Sequence, residues 1–259
     1  MLLSFLTQLD WPTVRAAAEW QMSVSEANHV PYKLESTYDI LGFPKYDIAA
    51  YSSVFHMAAM AAAAEIATAA GDAAFAQRCT DALRNASLAF DALQWNETKQ
   101  AYDASSTGCT GWAGKCASGI AVFADTFYAQ VLAYSAGLGL LVRNTSRVGL
   151  HLATQHRRGC VHFAAGSGEQ RPGCPNGMVV LTGREEDGGG PTGGTDLQVW
   201  EMAPPNHASL GIHLGQSVTA MLDGILKPSA TSWSQRLNNQ WDTAGIKDTD
   251  GYGTVTSHY

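Results

Sequence analysis

The chain has 259 residues, of which 46% are hydrophobic and 15% charged; that supports a large buried core in one or two domains and excludes wholesale disorder, and its 26 Gly and nine Pro exclude a collagen-like chain. Sixteen Lys and Arg stand against 23 Asp and Glu, for a net charge of -7, and Arg157-Arg158 is the one adjacent basic pair. No basic face for nucleic acid or an anionic membrane is expected from such a chain, and no run of about 18 apolar residues marks a transmembrane helix. Apolar residues at Leu6, Leu9, Val14, Ala17 and Ala18 predict a helix over Leu2 to Val24, with Pro12 as a kink or a new first turn. This amphipathic pattern fits the start better than a signal peptide, which needs a basic leader and a small-residue cleavage site. An Ala-rich helix is expected over Tyr46 to Ala70; Gly71-Asp72 ends it and opens the next, Ala73 to Leu93. Trp95 to Ser105 reads as extended. Helices follow at Ile120 to Ala136, closed by Gly137-Leu138-Gly139, and at Ser146 to His156. Residues 159–198 hold 11 of the 26 Gly, with Met178 to Thr182 as the one strand-like run, and read as a long irregular insertion. Helices return at His207 to Leu226 and Ser229 to Trp241. With no linker in view, residues 1–259 read as a single all-α unit of helical hairpins, an incomplete α/α toroid carrying the Gly-rich insertion.

Five cysteines occur without a CxxC, which argues against a zinc ribbon. Cys109 with Cys116, and Cys160 with Cys174, each flank a Gly-rich loop and could close local disulfides, leaving Cys79 free on a helix; five reduced thiols is the other reading. Three sequons, at Asn85, Asn96 and Asn144, tilt the balance slightly toward the secretory pathway.

The histidines do not pair at metal-ligand spacing: His151 and His156 are five apart, His207 and His213 six apart. No GxSxG nucleophile motif and no phosphate-cradling loop before Lys-Ser are present, so no metal or cofactor is expected. Carboxylates say more. Asp125 lies in the apolar run Ile120 to Leu132 and is the single charged residue between Lys115 and Arg143. Burial of such a carboxyl disfavours its ionised form, which is what a general acid at neutral pH requires; the alternative is an Asp satisfied at a helix start. Asp39, beside Tyr38, suits a sugar hydroxyl or an N-cap. Asp196, Trp200 and Glu201 close the insertion with an aromatic platform and carboxylates, or with a core Trp and solvated neighbours.

Several of these pieces together resemble the catalytic domain of glycoside hydrolase family 116, the family of bile acid β-glucosidase (non-lysosomal glucosylceramidase). The matching residues are Thr37-Tyr38-Asp39, the Tyr-bearing Ala-rich helix ending in Ala70-Gly71-Asp72, Leu93-Gln94-Trp95-Asn96 with Tyr102, Ala124-Asp125 with Gln130 ahead of Gly137-Leu138-Gly139, Asn176-Gly177-Met178, and Val199-Trp200. The resemblance runs from Trp11 to Trp241. It implies an (α/α)6 barrel and retaining hydrolysis of β-glucosides such as glucosylceramide, with Asp125 as acid/base and Asp39, Gln130, Trp200 and Glu201 toward the sugar. Phe123 departs from members that carry a hydroxyl there. The family's nucleophilic Glu falls upstream of Thr37 by more than the residues present, so this chain is expected to carry the acid/base half of the site. A non-catalytic sugar-binding or scaffold remnant of the same fold is the rival reading.

Overall fold

The computed structural model describes residues 10–32, 34, 48–106, 122–159, 181–182 and 203–219, and these are mostly helical. Helix α1 spans Trp11–Ser25. Pro12 sits in its first turn, where an N–H would have no intrahelical acceptor, so it starts the helix instead of kinking it. The Arg15 guanidinium crosses to Asp72 Oδ2 at 2.7 Å and lies 4.9 Å from the centre of the Phe75 ring, which fastens α1 to the helix hairpin described next.

Helices α2 (Ala50–Ala69) and α3 (Ala73–Gln94) form that hairpin. Ala and Met line α2 on most sides, so neighbours approach closely all round; it packs against α1, α3 and α4 below. Its C-terminus is a Schellman turn: Gly71 has φ +80°, its N–H reaches Thr68 O at 3.1 Å, and the Asp72 N–H reaches Ala67 O at 2.9 Å. Asp72 then caps α3 by accepting the Phe75 N–H at 3.1 Å. One glycine-aspartate pair therefore closes one helix and opens the next, as the sequence predicts.

The start of α2 has no side-chain cap. Its first N–H is met by extended backbone, Ala50 N donating to Ala104 O at 2.9 Å; beside it Ser106 N donates to Ile48 O at 3.0 Å and Ala49 bridges Ser105 antiparallel. The chain reaches residue 104 through a tight hairpin of β1 (Trp95–Asn96) and β2 (Ala101–Tyr102), with Trp95 opposite Tyr102. The Tyr102 ring stacks on Phe90 at 4.4 Å and its hydroxyl donates to Asp91.

Asp91 also receives Arg147 Nη1 at 3.0 Å and Asn144 Nδ2 at 3.3 Å, both from the start of α5 (Thr145–Gly159). Asn144 is the cap of that helix, since its Oδ1 accepts the Arg147 N–H at 3.1 Å. Asn144→Ala removes cap and Asp91 contact together and is expected to cost about 1–2 kcal/mol of stability, read as a lower urea midpoint with an unchanged slope.

Two expected boundaries are corrected. The predicted helix from Ile120 to Ala136 is instead strand β3 (Val122–Phe123), a turn at residues 124–127, and a shorter helix α4 (Tyr128–Ser135). β3 pairs antiparallel with β4 (Leu181–Thr182), which lies inside the Gly-rich insertion. The Thr126 hydroxyl donates to Phe123 O at 2.8 Å and Tyr128 N to Asp125 O at 3.0 Å, local bonds that favour a turn over helix. The predicted helix from His207 to Leu226 is interrupted: α6 (Ala203–His213) opens on Pro204 and Pro205 and stops at Gly215, φ +81°, in another Schellman turn, residues 218–219 are helical again, and 220–226 lie outside the described residues. Phe90, Tyr102, Phe127, Val142, Val148, Leu152 and Leu210 belong to one buried cluster, so α3, α5, α6 and the residue-127 turn share a core. Among the described residues no helix is long and apolar enough to cross a membrane.

Candidate active site

Asp125 sits at the meeting point of β3, α4, α5 and α6, on the turn between β3 and α4, and its side chain is fully buried. It is therefore not in mid-helix, as its apolar run predicts. Asn206, in the first turns of α6, donates Nδ2–H to Asp125 Oδ1 at 3.0 Å. The backbone on either side is held from α5: Gln155 Nε2 donates to Ala124 O and, at 3.5 Å, to Phe123 O. Gln155 Oε1 faces His207 Nδ1 at 3.1 Å. Below the turn, the Phe127 ring meets His151 edge-on at 5.0 Å and Tyr102 at 5.5 Å. On the outer side, Phe123 packs on Tyr51 at 5.9 Å and Tyr128 on Phe55 at 6.0 Å. The carboxyl thus stands on a stiff apolar base with one oxygen assigned to a neutral amide donor.

The histidines around this turn are uncharged at neutral pH. Burial pushes His151 down to about 3 and His207 down to about 4, and is the main cause in both. His151 Nδ1 accepts the Tyr102 N–H at 3.1 Å, so its proton is on Nε2, which has no partner among the described residues. No group of three or more His, Cys, Asp or Glu among the described residues is placed to hold a metal ion.

Gln130, expected to face the sugar, is fully buried on α4. Its Nε2 donates to Gly139 O at 2.9 Å and its Oε1 accepts Leu141 N at 2.8 Å and Val142 N at 3.4 Å. Those bonds give it a bracing role on the loop after α4. Asp39, Trp200 and Glu201 lie outside the described residues, as do Asp196 and the cysteines 109, 116, 160 and 174. Cys79 is a free, buried thiol on α3, and burial pushes it up to about 11, which makes it a core residue and not a nucleophile.

Two of the three sequon asparagines already have structural work. Asn144 caps α5, and Asn96 donates Nδ2 to Asp103 Oδ2 at 3.1 Å while its Oδ1 accepts the Lys99 N–H at 3.1 Å. A glycan on either Nδ2 would crowd the contact that nitrogen makes, to Asp91 from Asn144 and to Asp103 from Asn96.

Asn206, Gln155 and His207 were not legible as site residues. Asn206 is 81 positions from Asp125 in the chain, and no local pattern links them. No protein-family model and no curated protein sequence matches the chain.

Proposed function

We propose that the protein carries the acid/base part of a retaining β-glucosidase-like site acting on β-glucosides such as glucosylceramide, with Asp125 as acid/base in an (α/α)6-type toroid. The observation that carries this reading is Asp125 itself: a fully buried carboxyl on a turn, hydrogen-bonded through Oδ1 to a neutral amide at 3.0 Å.

In the proposed reaction the Asp125 carboxyl protonates the glycosidic oxygen as the bond to the aglycone breaks. A second carboxylate, about 5 Å away in retaining enzymes, takes the anomeric carbon; Asp125 then accepts a proton from the attacking water. Asp39, Trp200 and Glu201 keep their expected place toward the sugar, while the Gln130 amide is bonded to the loop after α4.

A binding measurement tests the reading without requiring turnover. A cationic glucose-shaped iminosugar, titrated calorimetrically, is expected to bind at least ten times more tightly than glucose, and Asp125→Asn to abolish most of that difference. No binding of either sugar to the folded protein would remove the glycosidase reading.

A further inference from the structure

The turn that bears Asp125 is positioned mainly by two helices distant in sequence, and the hydrogen-bond directions there are fixed by the backbone. Gln155 faces two carbonyls, Ala124 O and Phe123 O, which can only accept. Its Nε2 must therefore point at them, and its Oε1 must point at His207. Oε1 can only accept, so His207 Nδ1 carries the proton at the 3.1 Å contact. With burial holding His207 neutral, the ring is the Nδ1–H tautomer, and its Nε2 is left as an acceptor. Asn206, the preceding residue on α6, reaches Asp125 Oδ1 directly. Consecutive residues on a helix point about 100° apart. Here one takes the carboxyl group and the other takes the glutamine that holds the carboxyl's own backbone.

We infer that Asn206 is the positioning residue of Asp125, and that the His207–Gln155 pair fixes the turn on which Asp125 stands. The catalytic meaning of this inference rests on the glycosidase reading; the positioning does not. The Asn206 N–H can serve both protonation states of an acid/base. In the neutral carboxyl, Oδ1 is the carbonyl oxygen that accepts from Asn206, which leaves the proton on Oδ2. In the carboxylate the same N–H meets a charged oxygen and the bond becomes charge-assisted and stronger. The group can release a proton and recover it without turning.

Among the described residues, the titratable groups near this turn include His151 and His207, with His156 beside His207 at 6.0 Å between ring centres and Lys99 acting on His151. Burial keeps His151 and His207 neutral well below pH 6, so neither changes charge above that pH.

The test uses the full chain, ¹³C-labelled at aspartate carboxyls, with the Asp125 signal assigned by Asp125→Asn. Asn206→Leu removes the donor at nearly constant volume, Asn206→Asp replaces it with a group that repels a carboxylate, and Asn206→Ser retains a shorter donor should Leu not fold. The Asp125 titration midpoint is expected to move up in Asn206→Leu, further up in Asn206→Asp, and least in Asn206→Ser. In a form that turns over an alkyl β-glucoside, kcat is expected to fall about 10- to 100-fold in Asn206→Leu, with KM little changed. A midpoint unmoved in folded Leu and Asp variants overturns the inference. Midpoints that move as expected in a protein with no glucoside turnover and no iminosugar binding support the positioning and overturn the glycosidase reading instead.

Discussion

If Asp125 is the acid/base proposed above, Asp125→Asn is expected to lower kcat/KM on alkyl β-glucosides by about 10³-fold while lowering it less than about tenfold on a dinitrophenyl glucoside. The difference follows from the leaving group. An alkoxide departs only with a proton, which the carboxyl supplies; a dinitrophenolate departs without one, so the first step barely needs the acid. Breakdown of the glucosyl intermediate still lacks its general base. Added azide should therefore restore turnover of the activated substrate, giving β-glucosyl azide, because a small anion attacks without base assistance. Equal loss on both substrates, with no effect of azide, would give Asp125 a structural role. Asn also keeps an oxygen that can accept from Asn206.

The second large effect is on stability and needs no substrate. His56, His151 and His207 are 2%, 0% and 8% exposed and are pushed to about 4, 3 and 4. In each case desolvation by burial is the main cause. Their unfolded counterparts titrate near 6.5, so between pH 6.5 and about 4 the unfolded chain binds more protons than the folded one, and stability falls as pH falls. Each neutral histidine contributes stability that is present above pH 6.5 and is reduced by about 2 kcal/mol at pH 4.5. Together they remove roughly 6 kcal/mol, a large part of the 5–15 kcal/mol of an ordinary domain. Urea midpoints measured from pH 7.5 to 4.5 should show this decline. His151→Phe, although it costs the Tyr102 N–H its acceptor, should flatten the decline by about a third. An unchanged slope in that variant would mean that His151 is not neutral in the folded protein.

Local chemistry explains what the sequence disclosed. The α2–α3 turn was readable because both of its signals, a glycine for the left-handed C′ position and an aspartate for the N-cap, sit in adjacent residues. The extended stretch after Trp95 was readable for the same reason: the β1–β2 hairpin pairs residues only a few positions apart. The end of α4 at Gly137 was readable too. Gly215 carries the same signal as Gly71, yet the apolar residues beyond it prolonged the predicted helix. β3 was hidden because its partner strand lies near residue 181, and two residues of strand have no periodicity of their own. Asp125 stood out as a lone carboxyl in an apolar run, a compositional fact. Its setting did not, because Asn206, Gln155 and His207 reach it through tertiary packing of α5 and α6. Gln130 illustrates the converse: a polar residue at a suggestive distance from Asp125 whose amide serves the backbone of its own loop.

The backbone bonds between residues 48–50 and 104–106 give the intervening chain a common point of entry and exit. Everything from Ala50 to Ala104 is then a closed loop of the polypeptide whose two ends are zipped to each other, with Gln94 Nε2 adding a further bond to Ile48 O at 3.0 Å. In hydrogen exchange such a loop behaves as one cooperative unit: the amides of Ala50 and Ser106 are protected only while both strands of the zip are in place, so they share an opening free energy despite being 56 positions apart. The entropy of closing a loop this long rises only slowly with its length, so the cost of forming the zip is nearly insensitive to insertions at the α2–α3 turn. That turn is therefore the place where the chain can change length while both ends of the hairpin keep their registration.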